Sequence, residues 1–307
     1  MSARRGDSGL CGILVVDKPE GLTSHDVVNR VRRACGERRV GHAGTLDPMA
    51  TGLLLVLVGP ATRLAPYLTA AEKAYRATVA FGAQTDTDDA QGEVVKTQPV
   101  PACVLDTEFA RQTVASLVGV HQQVPPAFSA IKRGGEVAYA AARRGEALVI
   151  EPRTIEIFGA DLVGVNVDAG EWELDLSVSK GTYIRAIARD LGVALGTAAH
   201  LGALRRTRSG ALDVDGAISL QSLEAAEKVA ALFVDAVDAV GLPVVEVSAQ
   251  QAVYVTHGKR LALAPGLAQG AFFSVMHEGR LLAIFEQGAD DARVSVVIPG
   301  GVGGGEQ

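Results

Sequence analysis

The densest chemistry in this sequence lies in Gly41-His42-Ala43-Gly44-Thr45-Leu46-Asp47-Pro48-Met49-Ala50-Thr51-Gly52. Pro48 restricts Asp47 to extended geometry and stiffens its peptide, and the glycines permit close backbone approach. The apolar run 53–58 follows at once and reads as a buried strand. A carboxylate on a stiff loop ahead of such a strand is placed to present a fixed charge in a cleft. On Asp47 and Pro48 alone, an ordinary Asp-Pro turn is the simpler account.

Other arrangements carry residue types without usable geometry. Ser24-His25-Asp26 has the members of a triad, but three consecutive residues at a helix start point apart and cannot relay a proton. Asp86-Thr87-Asp88-Asp89 begins like a calcium loop, yet Gln91 and Thr97 stand where glycine and a bidentate glutamate are needed. It reads as a turn. The glycines of 300–304 precede no helix, so they cannot offer a phosphate to a helix N-terminus. No phosphate-binding loop of the Gly-Lys-Ser/Thr type and no metal-spaced ligand set occurs, which predicts chemistry without cofactor or metal.

The elements that must position the loop are legible on either side of it. Residues 10–16 read as a short buried strand, closed by the Asp17-Lys18-Pro19-Glu20-Gly21 turn. Thr23 and Ser24 offer caps for a helix with Val27, Val31 and Ala34 on one face, stopped by Gly36. Residues 41–52 are expected to be a loop. Tyr75, Ala77, Val79 and Phe81 alternate onto one strand face, as do Trp172, Leu174, Leu176 and Val178. Residues 106–118 suit a helix. The stretch 124–153, rich in Pro, Gly, Arg and Lys, predicts an excursion with a central Ala-rich helix, and excursions that long serve a function. Thr182 is expected to cap a helix ended by Gly192, and 220–240 to form a helical segment broken at Gly241-Leu242-Pro243. From Val244 onward, short strands with Gly and Ala turns predict a small all-β domain.

At 307 residues the chain suits one large domain and one small. Apolar residues make up 48% and charged residues 21%, a globular composition. No apolar run approaches the ~20 residues of a bilayer span, and no signal-length segment precedes the first strand. Cys11, Cys35 and Cys103 are too scattered for a disulfide framework and fit a reducing compartment. Net charge is −6, but its distribution is uneven. Five arginines stand between Arg30 and Arg39 against Glu37 alone, and Arg205, Arg206 and Arg208 form a second cluster. Such segregation can build a basic groove on an acidic protein.

Lys18-Pro19-x-Gly21-x-Thr23-Ser24, followed by the Asp47 loop, resembles the bacterial TruB family of tRNA pseudouridine synthases. The resemblance continues at Ala61-Thr62-Arg63, Lys73-x-Tyr75, Thr85-Asp86-Thr87-Asp88 and Pro125-Pro126-x-x-Ser129-Ala130-x-Lys132. It extends through Ser179-Lys180-Gly181-Thr182-Tyr183-Ile184-Arg185 to Leu204-Arg205-Arg206, in family order over residues 10–210. It implies an α+β fold, with a catalytic domain at 1–243 on a mixed, mainly antiparallel sheet with flanking helices and a thumb insertion within 124–153. A small all-β PUA-like RNA-binding domain at 244–300 and a disordered tail at 301–307 complete the expectation.

The resemblance also implies the reaction: isomerisation of the T-loop uridine of tRNA, position 55, to pseudouridine. No cofactor and no metal are expected, and the partner is the tRNA T-arm stem-loop. A cytoplasmic monomer without membrane or obligate protein partner follows. Asp47 matches the family's catalytic aspartate, and attack on the sugar or removal of a sugar proton both fit it. Arg185 matches an arginine that pairs with that aspartate, and an opposite charge nearby keeps a carboxylate ionised. Tyr75 matches a tyrosine that stacks on the target base and is a candidate for removing the C5 proton. Tyr183 matches a second pocket aromatic, although both tyrosines read as core residues by pattern alone. His42 matches the residue that fills the space left by the flipped base. Arg63, Lys132, Arg205 and Arg206 are expected at phosphates, with Leu204 in the same substrate-binding motif. The family often has Lys where Arg63 stands. Two other readings share these residues: an RNA chaperone, and the guide-RNA-directed relative of the family.

Overall fold

The computed structural model describes residues 8–128, 132–133, 136–137 and 150–303. Its contacts divide the chain into two compact units, Met1–Ala71 with Arg208–Gln307, and Glu72–Thr207. No helix among the described residues is long and apolar enough to cross a membrane.

The first unit opens with β1 (Gly12–Lys18), α1 (Ser24–Cys35), β2 (Val40–Ala43) and β3 (Thr51–Val58). β1 and β3 are apolar on both faces and pair antiparallel, from Gly12 opposite Val58 to Lys18 opposite Gly52. Thr23 caps α1 in a reciprocal box with Asp26, and Gly36 ends it in the left-handed region at φ 58°. The buried face of α1 is Val27, Val28, Val31 and Cys35, while Ala34 is only half-buried. Residues 41–43, expected to begin a loop, instead continue the strand β2 because they pair antiparallel with β3. The helix α2 (Ala65–Ala70) follows the 3-10 turn Gly59–Leu64.

The second unit holds β4 (Lys73–Phe81), β5 (Ala83–Thr85), β6 (Val94–Thr97), α3 (Thr107–Ala115), β7 (Gly119–Gln123), β8 (Lys132–Arg133) and β9 (Glu136–Val137). Then come β10 (Arg153–Asn166), β11 (Glu171–Val178), α4 (Ile184–Ala194) and β12 (Ala199–Ser209). Their sheet runs β12-β4-β11-β10-β7, antiparallel from β4 through β7. The alternation of β11 is as expected: Trp172, Leu174, Leu176 and Val178 are all buried. Trp172 donates its indole N–H to Val104 O at 2.7 Å and meets Phe81 edge-on. Asp106 caps α3 as its position implies. Thr182 does not cap α4: its hydroxyl is spent on Ser179 O, Tyr183 is the N-cap, and α4 runs two residues past Gly192. The Ala-rich helix expected within 124–153 lies outside the described residues.

The chain then returns to the first unit. β13 (Leu212–Asp213) pairs with the last residues of β12. Residues 220–240 do not form one helix but α5 (Leu220–Ala225), a 3-10 turn at Val229–Leu232, and α6 (Ala236–Val240). The break has a cause: Val234 N donates to Ile13 O at 2.9 Å, so the chain there is extended beside β1. Last come β14 (Val244–Glu246), α7 (Ala249–Thr256), β15 (Phe272–His277), β16 (Arg280–Gln287) and β17 (Ala292–Val302), in sheet order β14-β15-β16-β17. Part of this sheet shares a core with the N-terminal strands, since Ile13, Leu55, Leu57 and Leu64 pack with Leu281, Ile284, Ile298 and Val302. Another part packs with α7 around Phe273, Val275 and Phe285. β17 runs into the segment expected as a tail, and Val302 is fully buried.

Candidate active site

In the first unit, the motif ahead of α1 builds the frame for Asp47. Lys18 is fully buried, and its Nζ donates to the carbonyls of Pro19, Leu22 and Pro48 at 2.9, 2.6 and 3.2 Å. Gly21 N reaches the same Pro48 carbonyl at 2.8 Å. Ser24, also buried, accepts from Leu46 N at 2.9 Å and donates to Leu46 O at 3.0 Å. The residues on both sides of Asp47 are therefore pinned through their backbones, while the Asp47 side chain is left half-exposed. Gly44 and Gly52 carry φ of 87° and 97°, which only glycine adopts without strain. His42 lies on β2 opposite Val56, half-buried rather than on a free loop. Arg63 is exposed, and its Nη1 donates to Val297 O at 2.7 Å beside an open groove lined by Pro66, Tyr67 and Phe272.

In the second unit, Arg185 is only 5% exposed and is held from several sides. Its Nη1 donates to Thr87 O at 2.8 Å, its Nη2 to Phe128 O at 2.9 Å, and Asp89 Oδ2 lies 3.7 Å from its Nε. Asp89 is itself fixed, accepting from the Thr87 hydroxyl at 2.6 Å and from Gln91 N at 3.0 Å. One helical turn along α4, Arg189 Nη1 donates to the buried Asp88 at 3.0 Å. Burial pushes the Asp88 carboxyl up, against hydrogen bonds from Gln84 and Arg189 that favour its charged form.

Tyr75 is half-buried on β4 opposite Leu176, on the side of Ala77 and Val79. Tyr183 is bracketed by Gln123, a buried amide that accepts from Tyr183 N at 2.9 Å and donates to Tyr183 O at 3.1 Å. The Arg153 guanidinium lies 4.8 Å over the Tyr183 ring, within cation–π range. Lys132 starts the short strand β8, its backbone opposite Val137.

On β12, Leu204 and Arg205 are half-buried, whereas Arg206 is 1% exposed. That burial corrects the expectation of a phosphate contact for Arg206. Consecutive residues of a strand face opposite ways, so only one of the two arginines can serve the surface. Arg206 instead adds to a cationic interior: burial, then the charges of Arg206 and Lys180, push the Lys73 ammonium down to about 8.

Sequence reasoning passed over Asp89, which sits in a turn that looks solvated by composition. Its signal was the pair of adjacent acids, Asp88 and Asp89, matched by Arg185 and Arg189 four residues apart on one helix. Gln123 carried no such signal. Among the described residues, no cluster of His, Cys, Asp and Glu is arranged to hold a metal ion.

Two family models together match residues 32–244. The N-terminal domain of TruB family pseudouridylate synthases matches residues 32–184, and the tRNA pseudouridylate synthase B C-terminal domain matches 185–244. The chain belongs to the TruB family. The tRNA pseudouridine synthase B of Thermobifida fusca is 44% identical over 295 residues, covering 94% of this chain and 99% of that protein. The protein of the same name from an Arthrobacter species is 47% identical over 262 residues, 84% of each chain. In structure, the chain resembles the archaeal box H/ACA sRNP Nop10-Cbf5 complex, with TM-score 0.71 and 23% identity over 96% of this chain and 87% of that one. This likeness establishes the shared fold. The family read from the motifs is the family that the comparisons find.

Proposed function

We propose that this TruB-family chain converts the T-loop uridine of tRNA to pseudouridine, with Asp47 as the reacting carboxylate. The observation that carries this reading is the pinning of Leu46 and Pro48 by Ser24, Lys18 and Gly21. It fixes the backbone on both sides of one carboxylate, as a group that must meet a single sugar carbon requires.

The N1–C1′ bond of the uridine breaks, the uracil turns, and a bond forms from C5 to C1′. The C5 proton leaves and N1 gains one, so no redox equivalent or cofactor enters. Bond cleavage develops positive character at C1′, which a carboxylate stabilises or traps, as in retaining glycosidases. Arg185 supplies the charge that keeps Asp47 ionised. Tyr75 stacks on the base and takes part in removing the C5 proton, and Tyr183 is the second aromatic of the pocket. His42 occupies the space of the flipped base and recovers part of the unstacking cost. Arg63, Arg205 and Lys132 meet phosphates, and Leu204 belongs to the same substrate-binding motif as Arg205. The C-terminal family model ends at residue 244, where the sheet β14-β15-β16-β17 begins. We take that sheet as the PUA-like RNA-binding module of a cytoplasmic monomer that grips the T-arm.

The test is product formation on two transcripts, one with the T-loop uridine intact and one with cytidine in its place. Pseudouridine should form in the first and not in the second. Equal product from both, or none from the intact transcript, would overturn the assignment.

A further inference from the structure

Arg185 does not reach its surroundings alone. It grips the residues on either side of Asp88: the Thr87 carbonyl at 2.8 Å and the Asp89 carboxylate at 3.7 Å. Asp88, between them, has φ 59°, a conformation that non-glycine residues rarely adopt. Its carboxylate is buried and accepts from Gln84 Nε2 and Arg189 Nη1, each at 3.0 Å. Its backbone is tied as well, through Leu201 N to Asp88 O at 3.0 Å. Arg189 lies one turn from Arg185 on α4. Both arginines also hold the segment after β7, Arg189 at Val124 O (2.8 Å) and Arg185 at Phe128 O (2.9 Å). The two guanidinium groups thus form a two-pronged clamp on the same turn and the same segment.

We propose that Asp88 and Arg189 are positioning residues, a second buried ion pair that holds the 87–89 turn in the conformation Arg185 needs. This rests on the role assigned above to Arg185 in pseudouridine formation. Without Arg189, the Asp88 carboxylate loses its charged partner, the unfavourable φ loses its restraint, and the Thr87 carbonyl and Asp89 carboxylate shift together. Arg185 would then remain present but misplaced, and a misplacement of about 1 Å costs on the order of 10²-fold in rate.

The experiment compares Asp88→Asn, Arg189→Gln and their combination with the unaltered chain, in single turnover on T-arm RNA. Each single change should lower kcat by roughly 10–100-fold and leave KM within a few-fold. The combination should be no slower than the worse single change, because both act through one pair. Wild-type kcat in both single variants, loss confined to KM, or losses that multiply in the combination would overturn the proposal. Arg189→Lys, which keeps the charge but not the fork that also reaches Val124, should recover part of the kcat lost in Arg189→Gln; no recovery counts against the pair. A readout independent of activity is the Arg185 Nε–H resonance in arginine-labelled protein, which should move in Asp88→Asn. An unmoved resonance contradicts the proposal. Should the unaltered chain give no turnover, the proposed function falls, and the resonance still decides the pair.

Discussion

The loop that carries Asp47 is held through main-chain atoms by a buried ammonium, a hydroxyl and an amide, whereas the helix face that carries Arg185 is held by buried carboxylates as well as by backbone carbonyls. Around Asp47, Lys18, Gly21 and Ser24 all act on main-chain atoms of the neighbouring residues. Around Arg185, Asp88, Asp89 and Arg189 act through side chains. The difference decides what a substitution reports. A change at the Asp47 side chain leaves its frame in place and reads the chemistry of the carboxylate. A change on the Arg185 face alters charge and position together.

The backbone frame is broken most severely at Lys18. Lys18→Met leaves the Pro19 and Leu22 carbonyls without their charged donor, at about 1–3 kcal/mol each, while Pro48 O keeps the Gly21 amide. Thermal unfolding should show a loss of about 3 kcal/mol or more, with turnover falling alongside. Wild-type stability would mean that the loop holds its own shape.

Tyr75→Phe sharpens the contrast from the side of the second unit, because it keeps the ring and removes only the hydroxyl. Loss of a group that helps remove the C5 proton should slow product formation by about 10²-fold. Tyr75→Leu should further weaken the flipped state, since base–aromatic stacking contributes roughly 1–3 kcal/mol. Full activity in Tyr75→Phe would reduce Tyr75 to a stacking residue.

Lys73 tests the charged interior of the second unit by pH. Its folded value of about 8 lies below an unfolded value near 10.4, so between them the unfolded chain binds the extra proton. Stability therefore rises with pH across that window, by up to about 1.4 kcal/mol per unit from this group. Lys73→Met should flatten the slope relative to the unaltered chain. Identical slopes would show that Lys73 titrates as an exposed amine does.

The smallest effect concerns the neighbouring arginines of β12. Arg205→Ala should lower the slope of log K against log salt by about 0.7–0.9. Arg206→Ala should change stability and leave that slope alone, because its guanidinium is buried. A slope change in Arg206→Ala instead would place its side chain at the RNA.

Much of this molecule is legible in its sequence, and the exceptions share a cause. Thr23, Asp26 and Gly36 delimit α1 locally, so cap and stop are read directly. The alternation of β4 and β11 likewise needs nothing beyond the chain itself. Residues 41–43 and 233–234 depart from the local reading because pairing with distant strands, β3 and β1, overrides local composition. Asp89 was passed over for the same reason: an acidic turn gives no local sign that an arginine 96 positions later lies within 3.7 Å of its carboxylate. The Asp47 loop was found from its motif, but the work of Lys18 and Ser24 emerges only from distances. Arg206 is different, since strand alternation alone should have separated it from Arg205.

Asp47→Asn isolates the charge on a frame that the change does not touch. Single-turnover pseudouridine formation and RNA affinity are measured on the same T-arm substrate. The expected result is no detectable product, with Kd within a few-fold of the unaltered chain, because only the charge needed in the glycosidic step has gone. Product at an appreciable fraction of the wild-type rate would contradict the assignment of Asp47.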